Sequence, residues 1–206
     1  MRRASRQRAS RPKQAAGLTH AIRARILEAY PHTLAGLRDA ALISVGYDTL
    51  CRSTELAEMR LEHVRLGSDC IGAVLIPRSK SDVSGAGRVA YLSPQTTRLL
   101  SLWIDRACVS DGPLFRSLHL GRPADGPLAT SSIRRLIKRT TARVGLDPSV
   151  VSGLSGHSMR IGAAQDMMVA GFDALAIMQA GGWKSANVVL RYIEHAATKD
   201  LHAKRW

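Results

Sequence analysis

Apolar positions along the chain switch period several times, and the switches divide it into elements. From Leu34, the residues Leu37, Ala41, Leu42 and Val45 recur at helical spacing, which predicts a helix ending near Gly46. A shorter helical piece carrying Arg52, Glu55, Leu56 and Met59 follows. Residues 62–92 change character: Val64, Leu66, Ile71, Val74, Leu75 and Ile76 form short strand-like runs broken by Gly67-Ser68-Asp69. Ser79 to Gly87 reads as a long hairpin loop before a strand at Arg88–Leu92, giving an antiparallel sheet of about three strands.

Helical periodicity then returns. Ser93-Pro94 is a cap followed by proline in the first turn, leading into Leu99, Leu100, Trp103 and Ile104. Residues 111–127, rich in glycine and proline, read as loop. Thr130-Ser131-Ser132 opens a basic helix with Ile133, Leu136, Ile137 and Val144, stopped by Gly145. Gly153 to Gly156 is a turn, and a helix from His157 to Ala170 ends at Gly171. Asp173 caps Ala174–Ala180, which Gly181-Gly182 closes; a further helix covers Ser185–His195, with a terminal one over Thr198–Trp206. The expected class is α+β, mostly α-helical, with one small antiparallel three-stranded sheet near the start.

At 206 residues, 45% hydrophobic and 22% charged, the chain has the size and composition of one globular domain with a tail. Thirty Lys+Arg against sixteen Asp+Glu leave a net charge of +14, which favours a polyanionic partner, nucleic acid before an anionic membrane. The first acidic residue is Glu28, and residues 1–16 read as a basic flexible arm or linker. Removing the six charges up to Lys13 from +14 still leaves +8, so the globular part, 17–206, is basic as well. The same arm also reads as a solvated tail, and its composition is shared by mitochondrial transit peptides. No apolar run approaches the roughly 20 residues of a membrane span. Cys51, Cys70 and Cys108 are odd in number and lack a Cys-x-x-Cys, which fits reduced thiols; the cytoplasm is the default compartment.

Several common chemistries are absent. Gly153-Leu154-Ser155-Gly156-His157 lacks the second outer glycine of a hydrolase nucleophile elbow and has no strand before it. Gly85-Ala86-Gly87 has no Lys-Ser/Thr behind it, so it is no phosphate-cradling loop. The seven histidines form no His-Glu-x-x-His and carboxylates are sparse, which leaves a metal-dependent mechanism or a bound cofactor without support.

What remains is Ser155-Gly156-His157-Ser158-Met159-Arg160, then Gly181-Gly182-Trp183, then Tyr192. His157 and Arg160 sit three apart at the start of a helix, where backbone N–H groups and the dipole suit an anion. Taken singly, His157 reads as a capping residue and Tyr192 as a packing residue. Taken together, the run from Ser155 to Ile193 resembles the end of the catalytic domain of the tyrosine recombinases, the phage integrase family. The shared features are Ser155-Gly156-His157-Ser158, Gly162-Ala163-Ala164 and the block from Ile177 to Trp183. Upstream, Tyr47 to Glu55 resembles the family's first-arginine segment, with Glu55 three residues after Arg52, and Ile76-Pro77-Arg78-Ser79-Lys80 falls where the family places its hairpin lysine. The resemblance runs in order from residue 34 to 195.

It implies that Arg52 and Arg160 clamp the non-bridging oxygens of a phosphodiester, and that His157 and Trp183 add donors. Lys80 protonates the departing 5′ oxygen, and Tyr192 attacks phosphorus to give a 3′-phosphotyrosyl ester. Glu55 orients Arg52 or His157. The implied partner is double-stranded DNA, bound by a homotetramer without metal, ATP or cofactor. Two related readings remain open: a type IB topoisomerase-like nicking-closing activity, and a non-catalytic DNA-binding remnant. Only some 30 residues precede the catalytic segment, too few for the family's helical core-binding domain. The expectation is therefore a stand-alone catalytic domain, a fragment or a remnant.

Overall fold

A computed structural model describes residues 14–67, 70–77, 87–194 and 196. The chain runs α1 (His20–Glu28), α2 (Leu34–Asp48) and α3 (Ser53–Ala57), then a 3-10 turn at Leu61–His63. Strands β1 (Val64–Leu66), β2 (Gly72–Ile76) and β3 (Arg88–Leu92) precede α4 (Pro94–Arg106). Next come β4 (Arg116–His119), β5 (Arg122–Pro127), α5 (Thr130–Arg143) and α6 (Pro148–Gly153). The last helices are α7 (Ser158–Ala170), α8 (Ala174–Gly181) and α9 (Ala186–Ile193).

Local chemistry explains most of these boundaries. Thr33 Oγ1 accepts from Gly36 N at 3.1 Å to start α2, Ser93 caps α4 ahead of Pro94, and Asp173 accepts from Ala176 N at 2.7 Å to start α8. Gly171 and Gly182 end α7 and α8 in the left-handed region, at φ 97° and 67°, where a side chain is strained. Helix α2 is buried from Gly36 to Gly46, so the main core wraps around it. Trp103 of α4 is fully buried there, with its indole N–H on the Leu114 carbonyl at 2.9 Å.

The expected three-stranded sheet is present and antiparallel, in the order β1-β2-β3, with Val74 of the central strand opposite Val64 and Ala90. Gly72, Val74 and Ile76 face the core, alternating with the outward Ala73 and Leu75. Three readings need correction. Residues 111–127 are not all loop: β4 and β5 pair in a second, two-stranded sheet, turning through Leu120 and Gly121, both at positive φ. Helices α1 and α6 were not anticipated. The last described helix spans Ala186–Ile193, shorter than the Ser185–His195 expected. Residues 1–13 of the basic arm read over 1–16, residues 79–86 of the hairpin loop read over Ser79–Gly87, and the terminal helix read over Thr198–Trp206 lie outside the described residues.

A second, smaller core positions the site. Leu50, Ala163, Ala164, Ile177, Trp183 and Val189 pack together, joining the end of α2 to α7, α8 and α9. The segment before α1 lies against α6 and α7: Ala16 N donates to Gly153 O at 3.0 Å and Leu18 N to Ser158 O at 2.7 Å. Gly162 makes this approach possible, since a Cβ there would stand 1.9 Å from the Leu18 carbonyl oxygen. Gly162→Ala forces that backbone apart and is expected to cost about 3 kcal/mol, the upper end for overpacking. Urea unfolding would then show a lower midpoint at an unchanged slope.

Candidate active site

Arg52 stands at the entrance of α3. Helix α2 stops at Asp48; Thr49 folds its hydroxyl back onto Val45 O at 2.7 Å; Leu50 takes a left-handed turn at φ 50°; and Arg52 becomes the N-cap. Glu55, three residues on, accepts from Arg52 N at 2.8 Å and pairs with its guanidinium at 2.5 Å. A carboxylate at this position satisfies an orphan helix N–H and opposes the dipole. Glu55 is 9% exposed and Arg52 34%, so the carboxylate fixes the arginine from below and leaves its outer edge open.

Helix α7 supplies the second arginine. Ser155 N donates to Ser158 Oγ at 2.8 Å and His157 N to Ser155 Oγ at 3.1 Å, so paired serines make the turn that sets His157 as N-cap. A Cβ on Gly156 would meet Ser53 Oγ at 2.8 Å, and this close approach brings the turn against α3. Arg160 is 1% exposed. One of its Nη atoms donates to the Leu50 carbonyl, and the guanidinium lies 3.9 Å from the centre of the Trp183 ring. Its Nη2 is buried with no partner. Burial, with Arg52 nearby, pushes its pKa down to about 10, which still leaves it charged at neutral pH.

Trp183 reaches Arg160 because the chain reverses at Gly181-Gly182. A Cβ on Gly181 would stand 2.0 Å from the indole. Tyr192 of α9 is half-buried, its ring 5.7 Å from Trp183 and tilted by 57°. Arg52, Arg160, Trp183 and Tyr192 line one cavity of about 210 Å3. His157 opens instead onto the adjoining groove, with Ser53 and the α5 side chains Arg134, Arg135 and Lys138. Desolvation, then Arg160 and Arg52, lower its pKa, which keeps the imidazole neutral. Lys80 lies outside the described residues.

Two cations escaped the sequence reading of the site. Arg88, the first residue of the strand after the hairpin loop, donates to Thr49 O at 2.6 Å and Ala180 O at 2.8 Å. It thus ties the last described strand of the sheet to the turn before Arg52 and to the C-terminus of α8, where a cation is favoured. Lys184 lines the site cavity next to Trp183. Among the described residues, no three His, Cys, Asp or Glu side chains come together in a way that could hold a metal ion.

Residues 17–199 match the model of the phage integrase family. The chain is 37% identical over 171 residues to the recombinase Cre of Escherichia phage P1, a match covering 77% of this chain and 50% of Cre. It is 32% identical over 168 residues to an integrase/recombinase XerD homologue of Selenomonas ruminantium, covering 78% and 48%. The chain therefore spans about half the length of these curated relatives. The fold matches a XerA recombinase at TM-score 0.71 and 21% identity, over 95% of this chain and 64% of that one. It also matches the catalytic domain of bacteriophage HP1 integrase at TM-score 0.53 and 15% identity, over 94% and 95%.

A neutral His157 beside two arginines has a consequence for titration. Proton NMR of its imidazole should give a midpoint below the ordinary 6.5, and Arg52→Gln, which removes one of the repelling charges, should move it upward. The sign for stability follows. The unfolded chain takes up this proton first, so this group's contribution is complete above the unfolded value and is lost as pH falls through the lowered one. A midpoint at or above 6.5 in the folded protein would contradict the placement of His157.

Proposed function

The chain belongs to the phage integrase family, and from that premise we propose that it is a tyrosine-type site-specific DNA recombinase, cutting and rejoining strands through a 3′-phosphotyrosyl intermediate. The observation that carries this reading is the buried Arg160, which has an Nη2 without a partner and lines one cavity with Arg52 and Tyr192. A buried cationic donor without an acceptor is costly unless an anion completes it. A phosphodiester does so: one non-bridging oxygen takes Arg160, the other Arg52, each through a planar fork that stays protonated.

Uncatalysed phosphodiester cleavage is extremely slow, so rate must come from stabilising charge as it grows on the five-coordinate phosphorus. Arg160 suits this, because the Leu50 carbonyl and the Trp183 ring hold its guanidinium in place before substrate arrives. Glu55 holds Arg52 at the angle that presents its open edge. His157, neutral, contributes an N–H donor from the groove side, and Trp183 its indole N–H. Tyr192 Oη gives its proton to water and forms the bond to phosphorus as the bond to the 5′ oxygen breaks, and Lys80 gives that oxygen its proton. The phosphotyrosyl ester conserves the bond energy, so a second 5′-hydroxyl reseals the strand without ATP.

Double-stranded DNA is the substrate this surface fits. The net charge is +14, and α5 buries Ile133, Leu136 and Ile137 while Arg134 and Arg135 project into the groove that continues from His157. Exchange between two duplexes requires four copies of the site, and we propose a tetramer on DNA. This reading predicts a protein–DNA adduct when the protein is mixed with supercoiled plasmids carrying the DNA that flanks its gene and is quenched in denaturant without added metal. Tyr192→Phe should abolish the adduct while leaving DNA binding intact; an adduct that survives in the phenylalanine variant overturns the assignment of the nucleophile.

The role of Lys80 has its own test. Lys80→Ala should slow cleavage of an ordinary phosphodiester by about a hundredfold or more, the usual contribution of a general acid. The same variant should cleave a 5′-bridging phosphorothiolate at close to the parent rate, because a thiolate leaves without a proton. An equal deficit on both substrates would remove Lys80 from that role.

A further inference from the structure

Helix α9, which carries the tyrosine, meets the smaller core through Val189, with Tyr192 and Ile193 partly buried against it. It spans eight residues, Ala186–Ile193, and only Val189 is fully buried, while Val188 and Leu190 are exposed. A helix this short has little stability of its own, and its final carbonyls have no partners within the helix. Ala196 N closes onto Ile193 O at 2.8 Å, so it does not serve the carbonyl of Tyr192. That carbonyl accepts instead from Gln165 Nε2 at 3.1 Å and from Gln14 Nε2 at 3.4 Å.

Gln165 is 8% exposed and belongs to the same buried stretch of α7 as Arg160. Its other amide atom, Oε1, faces Gly17, where a Cβ would stand only 2.2 Å away. The side chain is thus held between the segment before α1 and the end of α9. Its orientation is set chemically too, since only the NH2 end can face a carbonyl oxygen. We propose that Gln165 is a positioning residue for the nucleophile: by gripping the main-chain carbonyl of Tyr192, it fixes the distance from the tyrosine-bearing helix to the arginine on its own helix, with Gln14 as a second donor. The inference rests on the reading of Tyr192 as nucleophile.

The test uses the whole chain with Gln165→Met, of similar length but without a donor, and Gln165→Glu, which sets a carboxylate against the carbonyl. Amide hydrogen exchange in the free protein should become about tenfold faster over residues 186–193 in Gln165→Met, the loss expected for one buried hydrogen bond, with α2 and α7 unchanged. The single-turnover rate of adduct formation on the flanking DNA should fall about tenfold while half-saturation with that DNA stays within about twofold. Gln165→Glu should lose more on both counts. A merely structural role would lower DNA affinity and rate together, and that outcome, or unchanged exchange over α9, overturns the proposal. If the parent protein forms no adduct, the recombinase reading is what fails, and exchange alone then decides whether Gln165 holds α9. If the Gln165 variants do not fold, Gln14→Met carries the same readouts at smaller amplitude, and no change there in either overturns the proposal.

Discussion

The guanidinium of Arg160 is charged, almost wholly withdrawn from water and incompletely bonded, and much of the site is built to tolerate it. Removing an ion from water costs several kcal/mol even after relaxation. The Leu50 carbonyl and the Trp183 ring offset part of that cost. Each compensation imposes its own demand on the chain. Leu50 must enter the left-handed region, and the chain must reverse at two consecutive glycines so that the indole can lie over the arginine. The protein leaves Nη2 without an acceptor, and Arg160 lines the same cavity as Arg52 and Tyr192.

The two cores divide the labour. The larger one, around α2 and Trp103, fixes the base from which Arg52 projects, through the turn at the end of α2. The smaller one gathers α7, α8 and α9 around Leu50 and Trp183. Arg88 crosses between them, with one Nη on Thr49 and the other on Ala180. Arg52 and Arg160 therefore arrive from opposite sides of one seam, Arg160 held by the Leu50 carbonyl two residues before Arg52, and Arg52 by Glu55. Sites built on buried helices in this way keep reacting groups in place better than loops do.

Much of this was legible along the chain where local chemistry acts alone. The caps Ser93-Pro94 and Asp173, and the stops at Gly171 and Gly182, placed α4, α7 and α8 because capping depends on neighbours a few residues apart. The hairpin β4-β5 reads as loop because its strands are short, carry Pro123 and Pro127 and shift register between Arg116 and Leu118, so no alternation marks it in the sequence. Helix α1 buries Arg23 against Thr96 and the Tyr47 ring, and a core position filled by arginine hides the apolar period. Helix α6, by contrast, carries an Asp147-Pro148 start that could have been read.

The site followed the same division. The order Arg52, Glu55, His157, Arg160, Trp183, Tyr192 was visible in sequence only through resemblance, since no spacing rule brings Arg52 to Arg160. The ion pair of Arg52 with Glu55 is local and was in reach. That His157 faces a groove beside the cavity, and that Arg88 serves the seam, depend on contacts between distant segments. On the proposed reading a phosphoryl group bonds to both Arg160 and Arg52, and a crystal structure grown with orthovanadate tests this. One vanadate is expected between Arg160 and Arg52, facing Tyr192 Oη. A vanadate found only in the groove of Arg134 and Arg135, with Arg160 Nη2 still unbonded, would contradict it.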